Sequence, residues 1–222
     1  MKAIDIITID GPTASGKGTV AERVAKALSF AYLDSGALYR LVALSALRRK
    51  IAFEDARGLA EAALAMRPKF EAGRVFLEGE DVTEAIRAEE VSVAASRVAA
   101  VPEVRQALVA LQKSFAKAPG LVADGRDMGT AIFPEAVLKV YLTATPQARA
   151  ARRYKQLKDK GVSVTIESLV RNLEERDARD MQREASPLVK ASEAMVLDSS
   201  ELSVDETVER VLAWYRTRKD TH

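Results

Sequence analysis

The sequence of 222 residues contains no cysteine and only one histidine, and both features restrict its chemistry. Without cysteine, the chain can form no disulfide, zinc–thiolate site or thiol nucleophile. The one histidine is His222, at the last position, where we expect little order. A mechanism that needs a histidine base or a histidine metal ligand is therefore nearly excluded. Phosphoryl transfer is still possible, because it depends mainly on positioning and positive charge.

The chain also lacks a long apolar run and a strong excess of either charge. It contains no stretch of about 18 consecutive apolar residues, which a membrane span would need. The N-terminal segment is interrupted by Asp5 and Asp10, so it predicts neither a signal peptide nor a membrane anchor. The net charge of +2 does not indicate nucleic-acid binding. We therefore expect a cytoplasmic protein without membrane or nucleic-acid partners.

Hydrophobic patterning predicts alternating strands and helices. The predicted strands lie at 4–10, 121–124, 138–142 and 194–197, and the predicted helices at 17–29, 37–50, 146–160, 165–184 and 204–217. This alternation predicts an α/β fold with a parallel sheet and helices on both faces. Segment 68–116 departs from it, since a hairpin that turns at Ala72-Gly73 precedes a mostly helical stretch broken near Pro102. We interpret this segment as an insertion that projects from the core.

The strongest motif joins the first predicted strand to the first predicted helix. Its residues are Gly11, Pro12, Thr13, Ala14, Ser15, Gly16, Lys17, Gly18 and Thr19. A glycine-rich turn at a helix N-terminus directs backbone N–H groups at phosphate oxygens, and the helix dipole adds to the attraction. Lys17 has the position from which a lysine reaches the β- and γ-phosphates of a nucleoside triphosphate. The segment therefore predicts a phosphate-binding loop, the P-loop.

One position of this loop departs from the general P-loop pattern. Serine or threonine usually follows the lysine and contacts magnesium, but here Gly18 follows Lys17 and Thr19 comes next. Direct ligation of magnesium by this loop is therefore left open. Asp124, at the end of a later predicted strand, is a candidate to hold magnesium-bound water.

A second motif, LDSGALYR at 33–40, begins the second predicted helix. Ser35 suits the N-cap position of that helix, which would give it a structural role, or it contacts a ligand. Arg40 follows one turn later and is placed to bind an anion, with a solvated surface arginine as the alternative.

A third motif, LVADGRDMGT at 121–130, places two carboxylates and an arginine at the end of an apolar strand. In open α/β sheets, ligands bind at the carboxyl ends of the strands. Arg126 suits a bidentate contact with phosphate. The alternative is a turn in which Asp and Gly are present for their backbone geometry.

Segment 145–185 is rich in arginine, with ten basic and seven acidic residues. Arg176, Asp180 and Arg183 have the spacing of side chains on one face of a helix. Two arginine-bearing helices on either side of a break at Gly161 indicate a hinged lid that closes over phosphates. The competing interpretation is a pair of surface helices joined by salt bridges.

These motifs together resemble those of the bacterial-type cytidylate kinases, which are nucleoside monophosphate kinases. The matching segments are ITIDGPTASGKGT, LDSGALYR, LVADGRDMGT, ERDARD, SPL and LDSS, in the order of the family and across residues 4–200. The resemblance implies transfer of the γ-phosphoryl group of ATP to CMP or dCMP, with Mg²⁺, to form CDP or dCDP.

The resemblance also implies a P-loop fold of three parts, and we expect a monomer. The P-loop core would comprise residues 1–67, 117–145 and 186–222. The monophosphate-binding insertion would span 68–116 and the helical lid 146–185.

By motif, the resemblance assigns the P-loop residues Gly11–Thr19 to ATP. It assigns the acceptor nucleotide to the following residues: Ser35, Arg40, Asp124 and Arg126, with Ser96, Arg105 and Asp127 facing cytosine, and Arg176, Asp180 and Arg183 at the sugar, base or transferring phosphate. An acceptor phosphate is already anionic, so it needs no general base. Catalysis would then be electrostatic, and the expected catalytic residues are Lys17, Arg126, Arg176 and Arg183.

Two other functions remain open. The first is a P-loop kinase for another small acceptor, such as UMP or a non-nucleotide alcohol. The second is a nucleotide-dependent binding or regulatory module that uses the basic segment on RNA.

Overall fold

The computed structural model describes residues 4–71, 73–159 and 161–220. Ala72, Lys160 and His222, which enter the predictions above, lie outside these residues. The chain forms two compact units, one made of residues 1–33 and 115–222 and the other of residues 34–114.

The strands and helices alternate along most of the chain. The strands are β1 (Asp5–Asp10), β2 (Ala31–Asp34), β3 (Pro68–Glu71), β4 (Arg74–Leu77), β5 (Glu80–Asp81), β6 (Gly120–Gly125), β7 (Leu138–Thr143) and β8 (Met195–Asp198). The helices are α1 (Lys17–Leu28), α2 (Ser35–Arg49), α3 (Ala56–Ala65), α4 (Glu89–Val98), α5 (Pro102–Lys113), α6 (Pro146–Asp159), α7 (Ile166–Gln182) and α8 (Val204–Asp220), with a 3₁₀ turn at Ala85–Arg87 and a π-helical turn at Met128–Ile132.

The larger unit is built on a five-stranded sheet with the strand order β2-β6-β1-β7-β8. β1 pairs in parallel with β6 and β7, and β7 pairs in parallel with β8. The last four residues of β1 are all buried, which is usual for a parallel strand whose two faces are both covered. The predicted α/β fold with a parallel sheet is confirmed.

α1 and α8 pack against this sheet. Ile7 and Ile9 of β1 form a buried core with Val24 of α1, Leu142 of β7 and Leu212 of α8. These apolar positions follow the helical and strand periods of the sequence, so burial of one stripe from each helix explains why the elements assemble here.

α6 and α7 pack against each other through a small apolar cluster, against which Ala14 of the P-loop also packs. Ala150 of α6 contacts Leu169 and Leu173 of α7 in this cluster. Both helices also bury charged side chains, namely Arg149 of α6 and Asp177 of α7. Buried charges of this kind need partners, and these partners are described with the site below.

In the smaller unit, α2 packs against α4 and α3 packs against α5. β3, β4 and β5 form a separate antiparallel sheet of three strands. Residues 34–67, which the sequence led us to group with the core, therefore belong to the same compact unit as nearly all of segment 68–116.

Several local features differ from the sequence prediction. β2 and α3 were not predicted, because β2 is only four residues long and the interior Gly58 weakens the helical pattern of α3. The predicted hairpin is extended by a third strand, β5. The N-cap interpretation of Ser35 is wrong, since the Asp34 carboxylate caps α2 by accepting the Ala37 N–H at 3.0 Å. Among the described residues, no helix has both the length and the apolar character for crossing a membrane.

We expect Gly120→Ala to destabilise the protein, because a Cβ there would lie 2.5 Å from Cζ of Phe30. Overpacking of this kind lowers the free energy of unfolding by about 1–3 kcal/mol. Urea unfolding followed by circular dichroism would measure the loss. Phe30→Leu should relieve the clash, so the double variant should lose less stability than the two single losses added together. If the stability losses of the two single variants were fully additive in the double variant, the contact between positions 30 and 120 would be contradicted.

Candidate active site

The P-loop motif connects β1 to α1. Gly16 has a φ of 89°, a left-handed conformation that glycine adopts without strain, and it is the N-cap residue of α1. Ser15 is buried, and its Oγ has no hydrogen-bond partner among the described residues. The loop thus brings backbone and hydroxyl donors to a helix N-terminus, which is an arrangement that binds phosphate.

Lys17 is buried at the first position of α1, and its Nζ donates to Pro12 O at 3.2 Å. Burial and then the nearby guanidinium of Arg126 lower the pKa of Lys17 to about 7. Arg176 acts in the same direction, whereas the carboxylates of Asp124 and Asp180 oppose the shift. An anionic ligand in contact with Nζ would favour the charged amine and raise this pKa again.

Arg126 and Asp180 form a largely buried ion pair, with 2.7 Å between Nε and Oδ2. Burial alone would raise the pKa of Asp180, but Arg126, Arg176 and Arg183 together hold it below its ordinary value. Arg183 is the C-cap residue of α7, and its Nε donates to Ser186 O at 2.5 Å. Arg126 of the third motif and the three predicted residues of segment 145–185 therefore belong to one electrostatic cluster with Lys17.

Asp124 lies beside the start of α1. Its Oδ1 accepts from the Tyr32 hydroxyl at 2.9 Å, and its Oδ2 is 3.8 Å from where a Cβ on Gly18 would lie. Thr19, the next residue with a hydroxyl, is exposed. In the part of the chain that the structure describes, no group of three or more His, Cys, Asp or Glu residues could hold a metal ion.

Asp10 shapes the loop that carries Arg126 and Asp127. Its carboxylate accepts the N–H groups of Met128 at 2.9 Å and Gly129 at 2.8 Å. Burial raises the pKa of Asp10 to about 6, although these two hydrogen bonds oppose the rise. The sequence alone assigned no role to Asp10. The available signal was a carboxylate at the end of an apolar strand.

Two arginines of α6 bind carbonyl groups of the P-loop. Arg149 Nη1 donates to Thr13 O at 3.0 Å, and Arg152 Nη1 donates to Ser15 O at 3.0 Å. Asp177 of α7 accepts the Thr13 N–H at 3.2 Å. From the sequence, these residues counted only toward the charge of the basic segment. The i, i+3 spacing of the two arginines after β7 was the one signal that could have identified them.

Ser35 and Arg40 lie on α2 in the smaller unit. Ser35 is buried in the first turn, and Arg40 is partly buried and donates from Nη1 to Ile86 O at 3.1 Å. Arg40 is therefore ordered by a backbone contact and is more than a solvated surface charge.

Ser96 and Arg105 lie on α4 and α5 of the same unit. Arg105 is buried, donates to Ala99 O at 3.1 Å, and has its guanidinium carbon 5.5 Å from the centroid of the Tyr39 ring. The buried Ser96 Oγ has no hydrogen-bond partner within the described ranges.

Comparison with known proteins identifies the family of this chain. A family model described as cytidylate kinase matches residues 7–217. A cytidylate kinase of Cupriavidus pinatubonensis is 57% identical over 215 residues, which is 97% of each chain. One of Ralstonia nicotianae is 58% identical over 96% of this chain and 93% of its own length. One of Chromobacterium violaceum is 51% identical over 97% of each chain. A match of this extent shows that the chain belongs to the cytidylate kinase family and is a phosphotransferase.

Proposed function

We propose that the chain uses ATP to phosphorylate CMP and dCMP, and that the charge cluster around Lys17 carries the transfer. The observation that supports this most directly is the position of Lys17, buried at the N-terminus of α1 within the electrostatic reach of Arg126 and Arg176. A site for phosphoryl transfer needs such positive charge in a water-poor environment. The relatives are named for cytidylate, so UMP is the less favoured acceptor.

On the donor side, the P-loop residues Gly11–Thr19 bind the phosphates of ATP. The N–H groups at the start of α1 and the Ser15 hydroxyl serve as donors, and Lys17 reaches the β- and γ-phosphates. Lys17 lies close enough to Asp124 and Asp180 for its charge to be partly balanced when the site is empty of phosphate. This balance limits the cost of keeping a buried cation ready for the ligand.

On the acceptor side, Ser35, Arg40 and Arg126 hold the monophosphate. Asp127, Ser96 and Arg105 read the cytosine, and Asp180 contributes near the sugar and base. Arg126, Arg176 and Arg183 neutralise charge while the phosphoryl group moves. The acceptor oxygen is already ionised, so no side chain has to act as a general base.

Magnesium fits the oxygen donors at the end of β6. Asp124 would hold a magnesium-bound water there, because Mg²⁺ usually keeps several waters and binds through one or two carboxylates together with substrate phosphates. When bound, the ion would supply further neutralisation of the phosphate charge. Gly18 cannot contribute a hydroxyl and Thr19 is exposed, so Asp124 is the residue for which the structure offers the best support.

The larger organisation follows the family pattern. Residues 1–33, 117–145 and 186–222 act as the P-loop core, and 146–185 act as the lid. Residues 34–67 act together with the monophosphate-binding insertion at 68–116, with nearly all of which they share a compact unit. The apolar cluster between α6 and α7 holds the two helices together, as a lid that moves as one piece requires. Closing the lid would keep water away from ATP. A cytoplasmic monomer that binds no nucleic acid remains our proposal, and the roles above need neither a second copy of the chain nor a nucleic-acid partner.

Turnover with a panel of acceptors tests the proposal. ADP formation from ATP, measured separately with CMP, dCMP, UMP, AMP and GMP, should be fast only with the two cytidylates.

Lys17→Ala should lower kcat by about 100-fold or more, because it removes a preorganised charge from the transition state. A folded Lys17→Ala enzyme within about tenfold of wild type would contradict the P-loop role. Salt-dependent RNA binding without turnover would instead support a binding module.

Asp127→Ala should narrow the preference for CMP over UMP. Cytosine presents an amino donor at N4 where uracil presents a carbonyl, so a carboxylate attracts the first and repels the second. We expect the ratio of the two kcat/KM values to fall by an amount equivalent to about 1–3 kcal/mol. Asp127→Asn keeps the size of the side chain and removes the charge, so it separates the effect of the charge from that of the lost side-chain volume. Equal losses on both acceptors would show that Asp127 supports its loop and does not read the base.

ATP binding should take up a proton above neutral pH. Lys17 has a pKa of about 7 in the free protein, and the bound phosphates should raise it, so the affinity for ATP should fall by up to about tenfold per pH unit above that value. Calorimetry at pH 8 in two buffers of different ionisation enthalpy would measure the proton uptake. Lys17→Arg is the control, because arginine stays charged and should take up no proton. Binding by wild type without proton uptake would show that the amine is already charged.

A further inference from the structure

The backbone of Thr13 in the P-loop is held on both sides by one ion pair, through the two peptide groups that flank this residue. Its N–H donates to Asp177 Oδ1 at 3.2 Å, and its carbonyl oxygen accepts from Arg149 Nη1 at 3.0 Å. Arg149 comes from α6 and Asp177 from α7, so two helices distant in sequence meet at a single residue of the loop.

The Arg149–Asp177 pair is buried and well satisfied. Nη1 lies 2.5 Å from Asp177 Oδ2, and Nε donates to Ala144 O at 3.1 Å. Only 4% of Arg149 and 7% of Asp177 are exposed. Buried ion pairs are often no more stabilising than apolar residues of similar size, because both charges lose their hydration. Stability alone therefore does not account for a charged pair at this position, and its contacts with Thr13 suggest a role in orientation.

A second arginine of α6, Arg152, binds a carbonyl group in the next part of the P-loop. Arg152 Nη1 donates to Ser15 O at 3.0 Å and to Ser199 Oγ at 3.2 Å, and Nη2 donates to Ser199 O. Ser199 is itself fixed to β7, because its N–H donates to Thr143 O at 2.9 Å. The carbonyl groups of Thr13 and Ser15 are thus both held by guanidinium groups from α6.

Holding a carbonyl also sets the direction of the next N–H group. In a planar trans peptide, the C=O and the following N–H point in opposite directions. The Ala14 N–H must therefore point away from Arg149, and the Gly16 N–H away from Arg152. Backbone N–H groups of this loop are the donors that a phosphate requires. The two arginines can thus act on phosphate binding without touching phosphate.

We propose that Arg149 and Asp177 are positioning residues that fix the two peptide groups flanking Thr13 and so direct the P-loop N–H groups at the donor phosphates. This inference rests on the proposed function of the P-loop. Arg152 fixes the carbonyl group of Ser15 in the same way. We call Arg149 and Asp177 together the clamp. Since Asp177 lies on α7 next to Arg176, the clamp also joins the P-loop to the helix that carries the charges for transfer.

The test replaces the pair by apolar residues, Arg149→Met together with Asp177→Leu. If the pair serves only as packing in the core, apolar side chains can replace it. This double variant should then be as stable as wild type and bind ATP equally well, because no charge is left unpaired. If the pair positions the loop, the variant should fold but bind ATP about 10- to 100-fold more weakly, the effect of losing a hydrogen bond to a charged group. Thermal unfolding and calorimetry with ATP, in the absence of any acceptor, separate the two outcomes.

Further measurements keep the test decisive if the double variant is unstable. Asp177→Asn retains the shape of the side chain and should weaken ATP binding in the same direction while the KM for CMP stays within about twofold. Amide exchange by NMR without nucleotide should show a protected Thr13 N–H in wild type and faster exchange in Asp177→Asn. Unchanged exchange together with unchanged ATP affinity would overturn the proposal.

Two exposed residues on the same helices provide controls, Glu174→Gln on α7 and Lys155→Met on α6. Both variants should leave ATP affinity unchanged. If either lost as much ATP affinity as the variants of Arg149 and Asp177, the specific role of that pair would be overturned. Failure of wild type itself to bind ATP or to phosphorylate CMP would count against the proposed function, which distinguishes that failure from a failure of the clamp.

Discussion

The parallel pairing of β1 with β6 brings two functional loops to the same edge of the sheet. In this register Ile9 lies opposite Asp124 and Asp10 opposite Gly125, so the P-loop and the loop with Arg126 and Asp127 leave neighbouring strands at the same level. Asp10 strengthens the arrangement, because its carboxylate binds two N–H groups of the second loop. The electrostatic cluster around Lys17 depends on this pairing, since it contains side chains from both loops.

Concentrating so many charges in a buried place has a physical cost, and the site reduces it by alternating their signs. Lys17 and Arg126 repel each other, and Asp124 and Asp180 offset part of that repulsion. The Arg126–Asp180 ion pair has good hydrogen-bond geometry, which partly compensates the loss of hydration. A polyanionic ligand would add negative charge where the cations are densest. The positive charges that attract phosphate are thus already in place in the free protein.

α6 and α7 are attached to the P-loop by Arg149 and Asp177 and by the packing of Ala14 against their apolar cluster. Arg149 and Asp177, the attachment points, lie near the start of α6 and in the second half of α7, whereas the connection between the helices comes at the other ends. Both attachment points therefore lie at the same end of the helix pair.

Local patterns in the sequence determined the parallel sheet, the P-loop and the family, because glycines, strand-end carboxylates and helical periods are properties of short segments. They also located Arg126, Asp180 and Lys17, but not the contacts between them. The Arg126–Asp180 pair spans 54 residues and the Thr13–Asp177 bond spans 164, so only the tertiary structure could reveal these partners. It also decided that Asp34 caps α2 and that residues 34–67 pack with 68–114. A periodic pattern shows which face of a helix is buried, whereas the neighbour that buries it depends on how the sheet orders its strands.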